Sequence, residues 1–594
     1  MAYLPDLIES GTSRMLTEVF TGYDHNLKIA DGAWYEETNL SSDSWPLFSP
    51  RNRRGEVMQL HNPQGILAKD ALAYVDGITL YYNGKEVTGI PMLTTDGKPK
   101  QLVSMGAYLC IFPDGVYFNT QNPSDSGTLA DEYISPETGV PITLHPCKAD
   151  GTDYDMNSII VSDSEPSDPK NGALWIDSSE AKHSLKQYSS STSTWVQVAT
   201  TYVKISATNI GKLFDQYDGV TISGLEYTGS NEFMPEQVKA LNSSTIIQQK
   251  GDDYIVVIGM LDQAHEYTGK ITVERKVPKM DFVCELDNRL WGCYYGMADG
   301  KAVNEIYASA LGNPKVWNRF MGISTDSYAV TVGSDGAFTG MTAHLGYVLA
   351  FKEGCIHKIY GTMPSNFQVT TTNCRGVQKG SERSLCIVNE RLYYKSRTDI
   401  CAYDGSLPQG ISDAFANQTF TNARAGALGS KYCISMQDAK GAWHMFTFDT
   451  DKGIWHREDS VHAMMFASMD DDLYYIDEDS KKIISEGGKN GTPEGMVEWD
   501  AISGIIGYEY PDQKYISRFN LRMNMEPGSL CEILVQYDSD GEWLMQGEIR
   551  GNTTQSFTIP VIPRRCDHMQ IRLRGKGDVK IYSIAKILEI GSDA

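Results

Sequence analysis

Two short turns contain the best candidates for the acidic residues of a glycoside hydrolase. Residues 537–543 (YDSDGEW) and 448–455 (FDTDKGIW) each place two aspartates before a glycine and a tryptophan. Hydrolysis of a glycosidic bond requires two carboxyl groups that flank the bond. The chain has 76 acidic residues, so acidic pairs can be nominated freely and their presence carries little information. We therefore interpret both segments as hairpin turns whose tryptophan packs between sheets.

Two charged clusters are candidate contact surfaces. The segment 49–55 (SPRNRRG) contains Arg51, Arg53 and Arg54, which could contact an acidic partner or DNA. Six acidic residues flank the apolar segment 473–476 and could form an acidic rim that repels phosphate groups. These six are Asp470, Asp471, Asp472, Asp477, Glu478 and Asp479. The alternative for both clusters is a solvated loop or hairpin end.

The sequence lacks the motifs of the commonest cofactor and metal chemistries. It has no GxxxxGK[ST], no strand-linked GxGxxG, no HExxH and no GxSxG. Its 11 histidines form no pair at helical spacing, and the turn at 538–540 lacks the later acidic ligand of a calcium loop. We therefore predict no metal, no cofactor and no catalytic residue, and a protein that is not an enzyme.

Composition excludes several classes of protein. The net charge of −24 argues against a protein that neutralises nucleic-acid phosphates. The longest apolar runs, at 254–258 and 345–351, are much shorter than the roughly 20 residues of a membrane-spanning helix. The N-terminal segment does not resemble a secretory signal. Eleven cysteines without a CxxC pair predict reduced, buried thiols in a chain made in a cytoplasm.

Short runs of alternating polarity, bounded by Gly, Asp, Asn and Ser, predict a mainly β fold. Residues 4–20 are the one fair candidate for a helix. From residue 281 onward, a polar turn followed by an aromatic or aliphatic strand recurs at intervals of 57, 44, 40 and 41 residues. The anchor residues are Trp291, Val348, Leu392, Tyr432 and Leu473. Such a period is typical of β-propeller blades, and residues 104–118 resemble a sixth unit.

These patterns predict four regions in the chain. Residues 1–121 would hold an N-terminal segment and the first propeller blade or blades, and residues 122–275 a small inserted β domain. The remaining blades would occupy residues 276–490. Regularly spaced strands after the linker at 487–493 (GGKNGTP) predict a C-terminal β-sandwich over residues 491–594.

The segment 33–51 (AWYEETNLSSDSWPLFSPR) resembles the opening of the tail nozzle proteins of short-tailed bacteriophages, also called tail tubular protein B. Residues 303–309 (VNEIYAS) and 313–317 (NPKVW) are similar to blades common in phage structural proteins. The resemblance covers residues 30–120 and 280–490. It implies a non-enzymatic virion protein of the tail, synthesised in the bacterial host cytoplasm.

The same resemblance implies a set of partners. The chain would form a homo-oligomer, a hexameric ring below the portal and adaptor, and would also contact tail fibre or tail tip proteins. DNA would pass through the ring without specific binding, retained after packaging and released at ejection. An alternative is a head-closure or DNA-stabilisation protein of the neck. An alternative of another class is a carbohydrate-binding or sialidase-like propeller, since residues 537–543 also resemble the Asp-box turn of sialidases.

Overall fold

The computed structural model describes residues 11–95, 99–136, 139–298, 300–509, 512–551 and 553–590. The fold is mainly β and consists of many small sheets, most of them four-stranded and antiparallel. Seven of these sheets, here S1 to S7 in chain order, follow one another in a propeller-like arrangement. They do not join into one closed sheet.

The first two sheets precede the inserted segment and the other five follow it. S1 contains Pro63–Ala68, Leu72–Asp76, Thr79–Tyr82 and Lys85–Glu86, and S2 contains Gln101–Met105, Tyr108–Phe112, Val116–Asn119 and Gly127–Thr128. S3 contains Phe282–Leu286, Arg289–Ala298, Lys301–Ala308 and Tyr328–Thr331, and S4 contains Gly340–His344, Tyr347–Lys352, Cys355–Tyr360 and Gln368–Asn373. S5 contains Cys386–Val388, Arg391–Lys395, Ile400–Tyr403 and Gln409–Gly410, and S6 contains Phe420–Leu428, Lys431–Asp438, Trp443–Asp449 and Ile454–Arg457. S7 contains Ala463–Met469, Asp472–Asp477 and Lys482–Ser485, joined by Gly55–Gln59 and Thr492–Pro493.

Apolar side chains hold each sheet against the next, because a single four-stranded sheet cannot bury both of its faces. Between S4 and S5, for example, Phe351 packs with Tyr394 in a buried cluster. Ile66 of S1 packs in the same way with Ile476 of S7, so the last sheet contacts the first. The early strand Gly55–Gln59 also pairs with Lys482–Ser485, which ties the beginning of the chain to S7.

Tight turns join the first two strands of these sheets. Asn288 in S3 and Asn389 in S5 adopt positive φ angles of 58° and 45°. Asparagine tolerates this left-handed conformation better than most residues, and two-residue hairpins with the right-handed sheet twist require it. The five anchor residues of the sequence repeat all lie on the second strands of S3 to S7. S1 has no counterpart among the predicted units.

Three further sheets lie between S2 and S3. Asp131–Ile134, Thr272–Arg275, Gly219–Ser223 and Ser244–Ile246 form one, and Gln249–Gly251, Tyr254–Ile258, Tyr202–Ser206, Val140–Cys147 and His265–Gly269 form another. The third contains Ile160–Ser162, Leu174–Asp177, Ser184–Ser189 and Thr194–Gln197. Among the described residues, Met234–Leu241 is the one α-helix, and short 3₁₀ turns lie at Met156–Ser158, Pro364–Asn366, Glu382–Ser384 and Asp413–Phe415. That this region is an independent domain stays a prediction.

The C-terminal strands form two facing sheets around a shared apolar core. One sheet contains Gly11–Thr17, Val579–Ile590, Lys514–Met525 and Gln555–Pro560. The other contains Gly22–Tyr23, Ala33–Thr38, Glu498–Ser503, Met569–Lys576, Leu530–Tyr537 and Leu544–Arg550. Strands from both ends of the chain therefore share one sandwich.

The helix expected at residues 4–20 is wrong for the part that the structure describes. Residues 11–17 form a strand that pairs in register with residues 584–590. Pairing satisfies the backbone hydrogen-bonding groups along a sheet edge, and this tertiary gain outweighs weak local helical preference. Residues 1–10 lie outside the described residues.

The cysteines are all unpaired. Cys110, Cys293 and Cys433 are among eight buried ones, and burial raises the pKa of Cys110 to about 12, so its thiol stays protonated.

Within the described ranges, no helix has the length and apolar character needed to cross a membrane.

Candidate functional site

Two of the three arginines singled out in the sequence lie inside the protein. Arg51 and Arg54 are 6% and 5% exposed, and Arg53 between them is half-buried. Arg54 donates hydrogen bonds to Glu458 at 2.5 Å, and to Asp459 and Glu486 at 2.6 Å each. These ion pairs engage the guanidinium within the chain, so Arg54 has no free face for DNA.

Arg51 completes this buried ion cluster, which we define as Arg51, Arg54, Glu458, Asp459, Glu486 and Glu494. It pairs with Glu494 and lies 3.5 Å from Asp459. Burial raises the pKa of Glu486, and the charge of Glu458 adds to this effect. Burial also opposes ionisation of Glu458, but Arg54 and Arg51 outweigh it and lower the pKa of that carboxyl group. The cluster joins the segment before the strand Gly55–Gln59 to the segment between S6 and S7. It also connects both to the end of S7 and to the segment that leads to the sandwich.

The six acidic residues proposed as a rim lie at opposite ends of one strand of S7. Asp470 and Asp471 are exposed in the turn before Asp472–Asp477, and Glu478 and Asp479 are exposed in the turn after it. Six strand residues separate these ends by roughly 17 Å. Asp472 is buried and accepts hydrogen bonds from Ser485 Oγ at 2.6 Å and Gly487 N at 2.9 Å. Asp477 accepts backbone hydrogen bonds within its own turn. No single rim contains all six residues.

The two aspartate-rich turns stabilise local structure. Asp449 accepts hydrogen bonds from the backbone N–H groups of Asp451 and Lys452. Asp538 accepts from the backbone of Asp567 and His568. Asp540 lies 3.2 Å from Arg564. No cluster of His, Cys, Asp or Glu suited to a metal ion occurs in the part of the chain that the structure describes.

A cleft of about 410 Å³ opens beside S6 and contains a denser set of polar groups. Antiparallel pairing brings three strand termini together at one end of S6. These are the start of the first strand, the turn between the second and third strands, and the end of the fourth strand. We call this the entry edge of S6. Phe420, Asp438, His444 and Arg457 line the cleft from this edge, and Glu36 and Tyr23 line it from the N-terminal strands.

Four side chains of the cleft form a continuous hydrogen-bonded chain. Arg457 donates from Nη1 to Glu36 Oε2 at 2.8 Å, and its Nη2 lies 3.1 Å from His444 Nδ1. A guanidinium can only donate, so His444 Nδ1 accepts and the ring proton resides on Nε2. That proton is donated to Asp438 Oδ2 at 3.0 Å. This hydrogen bond lowers the pKa of Asp438, which therefore stays ionised.

Aromatic rings form the floor of the cleft. Tyr23 packs 5.6 Å from Phe446, which in turn lies 5.5 Å from Phe420, measured between ring centroids. Tyr23 donates its hydroxyl proton to Gln418 Oε1 at 2.9 Å. Burial and the charge of Glu36 raise the pKa of Tyr23, so the phenol remains a donor at neutral pH.

The cleft continues into a second depression of about 850 Å³. The two share residues 417–420, and the second is also lined by Lys395, Arg397, Asp399 and Ser412. Burial lowers the pKa of Lys395 to about 8. The two depressions therefore adjoin the same segment, residues 417–420.

Sequence reasoning identified none of the cleft residues. They come from the N-terminal strands and from four strands of S6, so the cleft exists only after strand pairing and sheet packing. The one available signal is the composition of residues 438–457, which contain acidic, basic and aromatic residues over three consecutive strands of S6.

No protein-family model and no curated protein sequence matches the chain. Matching solved structures include an exo-β-1,3-galactanase from Phanerochaete chrysosporium, with 6% identity, 51% of this chain and 94% of that chain covered, and a TM-score of 0.19. Another is an engineered glycoside hydrolase of family 43 with endo-xylanase and exo-arabinofuranosidase activity, with 11% identity, 52% and 97% covered, and a TM-score of 0.20. A third is a family 43 arabinoxylan arabinofuranohydrolase from Bacillus subtilis, with 10% identity, 66% and 94% covered, and a TM-score of 0.14. At these values the likeness assigns neither activity nor substrate to this chain.

These comparisons contradict two predictions made from the sequence. The three structures named above are glycoside hydrolases, and none of them is a phage tail nozzle protein. The non-enzymatic tail nozzle is therefore wrong as the main prediction, and the carbohydrate-binding alternative agrees better with the comparisons. The hexameric ring and the phage partners have no support. The virion location stays an untested prediction.

Proposed function

We propose that this protein is a carbohydrate-binding protein built on a seven-bladed β-propeller, with the S6 cleft as its glycan site. The propeller interpretation is supported by seven successive sheets, each packed on the next, and by the contact of S7 with S1. In a β-propeller, turns from several blades lie on the same face of the molecule, where they can surround a ligand.

The glycan assignment rests on one observation, a row of hydrogen-bonded side chains above the aromatic floor of the cleft. These side chains are Glu36, Arg457, His444 and Asp438. A sugar presents hydroxyl groups that both donate and accept, together with apolar C–H faces. Planar polar side chains held in one orientation match the hydroxyl groups, and the aromatic core beneath them holds their strands in place. The second depression, which shares residues 417–420 with the cleft, offers space for a neighbouring sugar residue.

The charges in the cleft favour binding over bond cleavage as the activity to test first. A glycosidase needs one carboxyl group whose raised pKa keeps it protonated as a general acid. Asp438 has a lowered pKa because His444 donates to it. Sugar release is measured beside binding, so that the two activities are tested directly against each other.

The test is binding of the full-length protein to an array of neutral and acidic oligosaccharides, followed by calorimetric titration with the best ligand. His444→Ala removes the side chain that joins Arg457 to Asp438. We expect the affinity for the glycan to fall roughly tenfold or more, as for the loss of a hydrogen bond to a charged group. Tyr23→Phe removes only a hydroxyl group and should weaken binding by roughly fivefold.

His61→Ala is the matched control, because the side chain of His61 is 95% exposed and lies outside the cleft. This variant should bind like the unmodified protein. Absence of binding to every glycan, or equal binding by the His444→Ala and His61→Ala variants, would refute the assignment.

A further inference from the structure

Two arginines lie near the contact between S5 and S6. Arg383 lies in the 3₁₀ turn Glu382–Ser384, just before the first strand of S5, and Arg424 lies in the first strand of S6. Arg383 Nη1 donates to the carbonyl oxygen of Met464 in S7 at 3.2 Å. The guanidinium group of Arg383 therefore reaches from the turn before S5 to S7, and Arg424 of S6 bonds to Gly380 in the segment just before that turn.

Backbone carbonyl groups hold these guanidinium groups in place. Arg424 Nη1 donates to Gly380 O at 2.8 Å and to Ala423 O at 3.1 Å. No carboxylate of the described residues lies within 4 Å of either arginine, although Arg51 and Arg54 each pair with several. A guanidinium has five N–H donors, so most donors of this pair have no hydrogen-bond partner among the described residues.

The electrostatics of the pair favour a bound anion. Burial and the positive charge of Arg424 lower the pKa of Arg383 to about 10, and burial lowers the pKa of Arg424 as well. Both groups are therefore cationic at neutral pH. Glu382 and Glu478 act in the opposite direction but from beyond ion-pair distance. Two neighbouring cations held without a direct counter-ion repel each other, and a carboxylate placed between them would relieve this repulsion.

We infer that Arg383 and Arg424 bind the carboxylate of a uronic acid residue within the glycan. This inference rests on the proposed glycan-binding function and specifies its ligand as an acidic glycan. Phe420 at the floor of the cleft lies four residues before Arg424 on the same strand, which corresponds to roughly 13 Å. A glycan that extends from the cleft along the first strand of S6 toward Arg424 would place a neighbouring sugar in the cleft. Planar guanidinium groups match a carboxylate in a bidentate manner.

The test is calorimetric titration of the full-length protein with trigalacturonate and with its methyl ester, which differs only in charge and the added methyl groups. We expect the acid to bind at least roughly tenfold more tightly than the ester. The Arg383→Gln/Arg424→Gln double variant should lose this preference while binding the ester as before. Arg391→Gln, which changes an exposed arginine outside the pair, is the matched control and should keep the preference.

A further variant keeps the inference testable if the double variant does not fold. Glu478 is exposed, and Glu478→Gln removes a negative charge near the pair, so its affinity for the acid should rise by about two- to fivefold. Equal binding of acid and ester, with loss in His444→Ala, would overturn the inference and leave the proposed function intact. Binding of the acid that depends on the arginines but not on His444 would support the inference and remove the cleft from the site. Binding of neither ligand while another glycan of the array binds at the cleft would overturn the inference alone, and an array without any ligand would overturn both.

Discussion

At the scale of single residues, burial separates two groups of arginines that the sequence does not distinguish. Arg54 is enclosed by three acidic side chains, whereas Arg383 touches a backbone carbonyl group and no carboxylate among the described residues. The first arrangement compensates a buried charge within the chain. The second leaves donors for a ligand. Charge alone therefore predicts neither role.

The buried ion cluster supplies a prediction about stability. Arg54→Ala leaves Glu458 and its neighbours buried without their main counter-ion, and should lower the free energy of unfolding by about 3–5 kcal/mol. Thermal melting followed by circular dichroism measures the effect. Glu486→Gln should change the melting temperature little, because a raised pKa keeps that carboxyl group protonated and glutamine resembles the neutral form. A larger loss in Glu486→Gln than in Arg54→Ala would contradict this account.

At the scale of elements, the packing of S3 against S4 excludes water from a histidine. His357 lies in Cys355–Tyr360, and its Nε2 is 2.7 Å from Ser334 Oγ while Nδ1 is 2.9 Å from Thr371 Oγ1. Burial, with the nearby charge of Lys352, lowers the pKa of His357 to about 4. The ring is therefore neutral in the folded protein.

His357 predicts a pH dependence of stability with a definite sign. Between pH 6.5 and pH 4 the unfolded chain takes up a proton at His357 that the folded protein does not, so stability falls as the pH falls. His357→Gln lacks this contribution. The melting temperature of the unmodified protein should exceed that of the variant most at pH 7, and the difference should narrow toward pH 4. A difference that is constant over this range would contradict the prediction.

At the scale of the whole molecule, both ends of the chain stabilise the same structures. Gly55–Gln59 completes S7, and Gly11–Thr17 pairs with Val579–Ile590 in the sandwich. Ala33–Thr38 pairs with Glu498–Ser503 and also carries Glu36 to the cleft. The sandwich and the cleft therefore depend on the same N-terminal strands.

The inserted region offers a test of modularity. Asp131 and Arg275 are direct partners on neighbouring antiparallel strands, so their Cα atoms lie about 5 Å apart. Replacing residues 131–275 by a short Gly-Ser linker of about four residues should leave S2 and S3 joined without strain. We expect a cooperatively melting protein with unchanged glycan affinity. Aggregation or loss of glycan binding would show that the insertion supports the ring.

The sequence by itself determined the mainly β class and the strand repeat over S3 to S7, because hydrophobic alternation and turn residues act over a few neighbouring positions. It placed one or more blades in residues 1–121 but identified no repeat unit at S1. It also did not predict the strand at residues 11–17, which depends on a partner more than 560 residues away. The resemblance of residues 33–51 led to a function that the comparisons contradict. Only the tertiary structure decided that Arg51 and Arg54 are buried and that Glu36, His444 and Arg457 meet. Such contacts join segments hundreds of residues apart, and their geometry follows from sheet packing, not from local sequence.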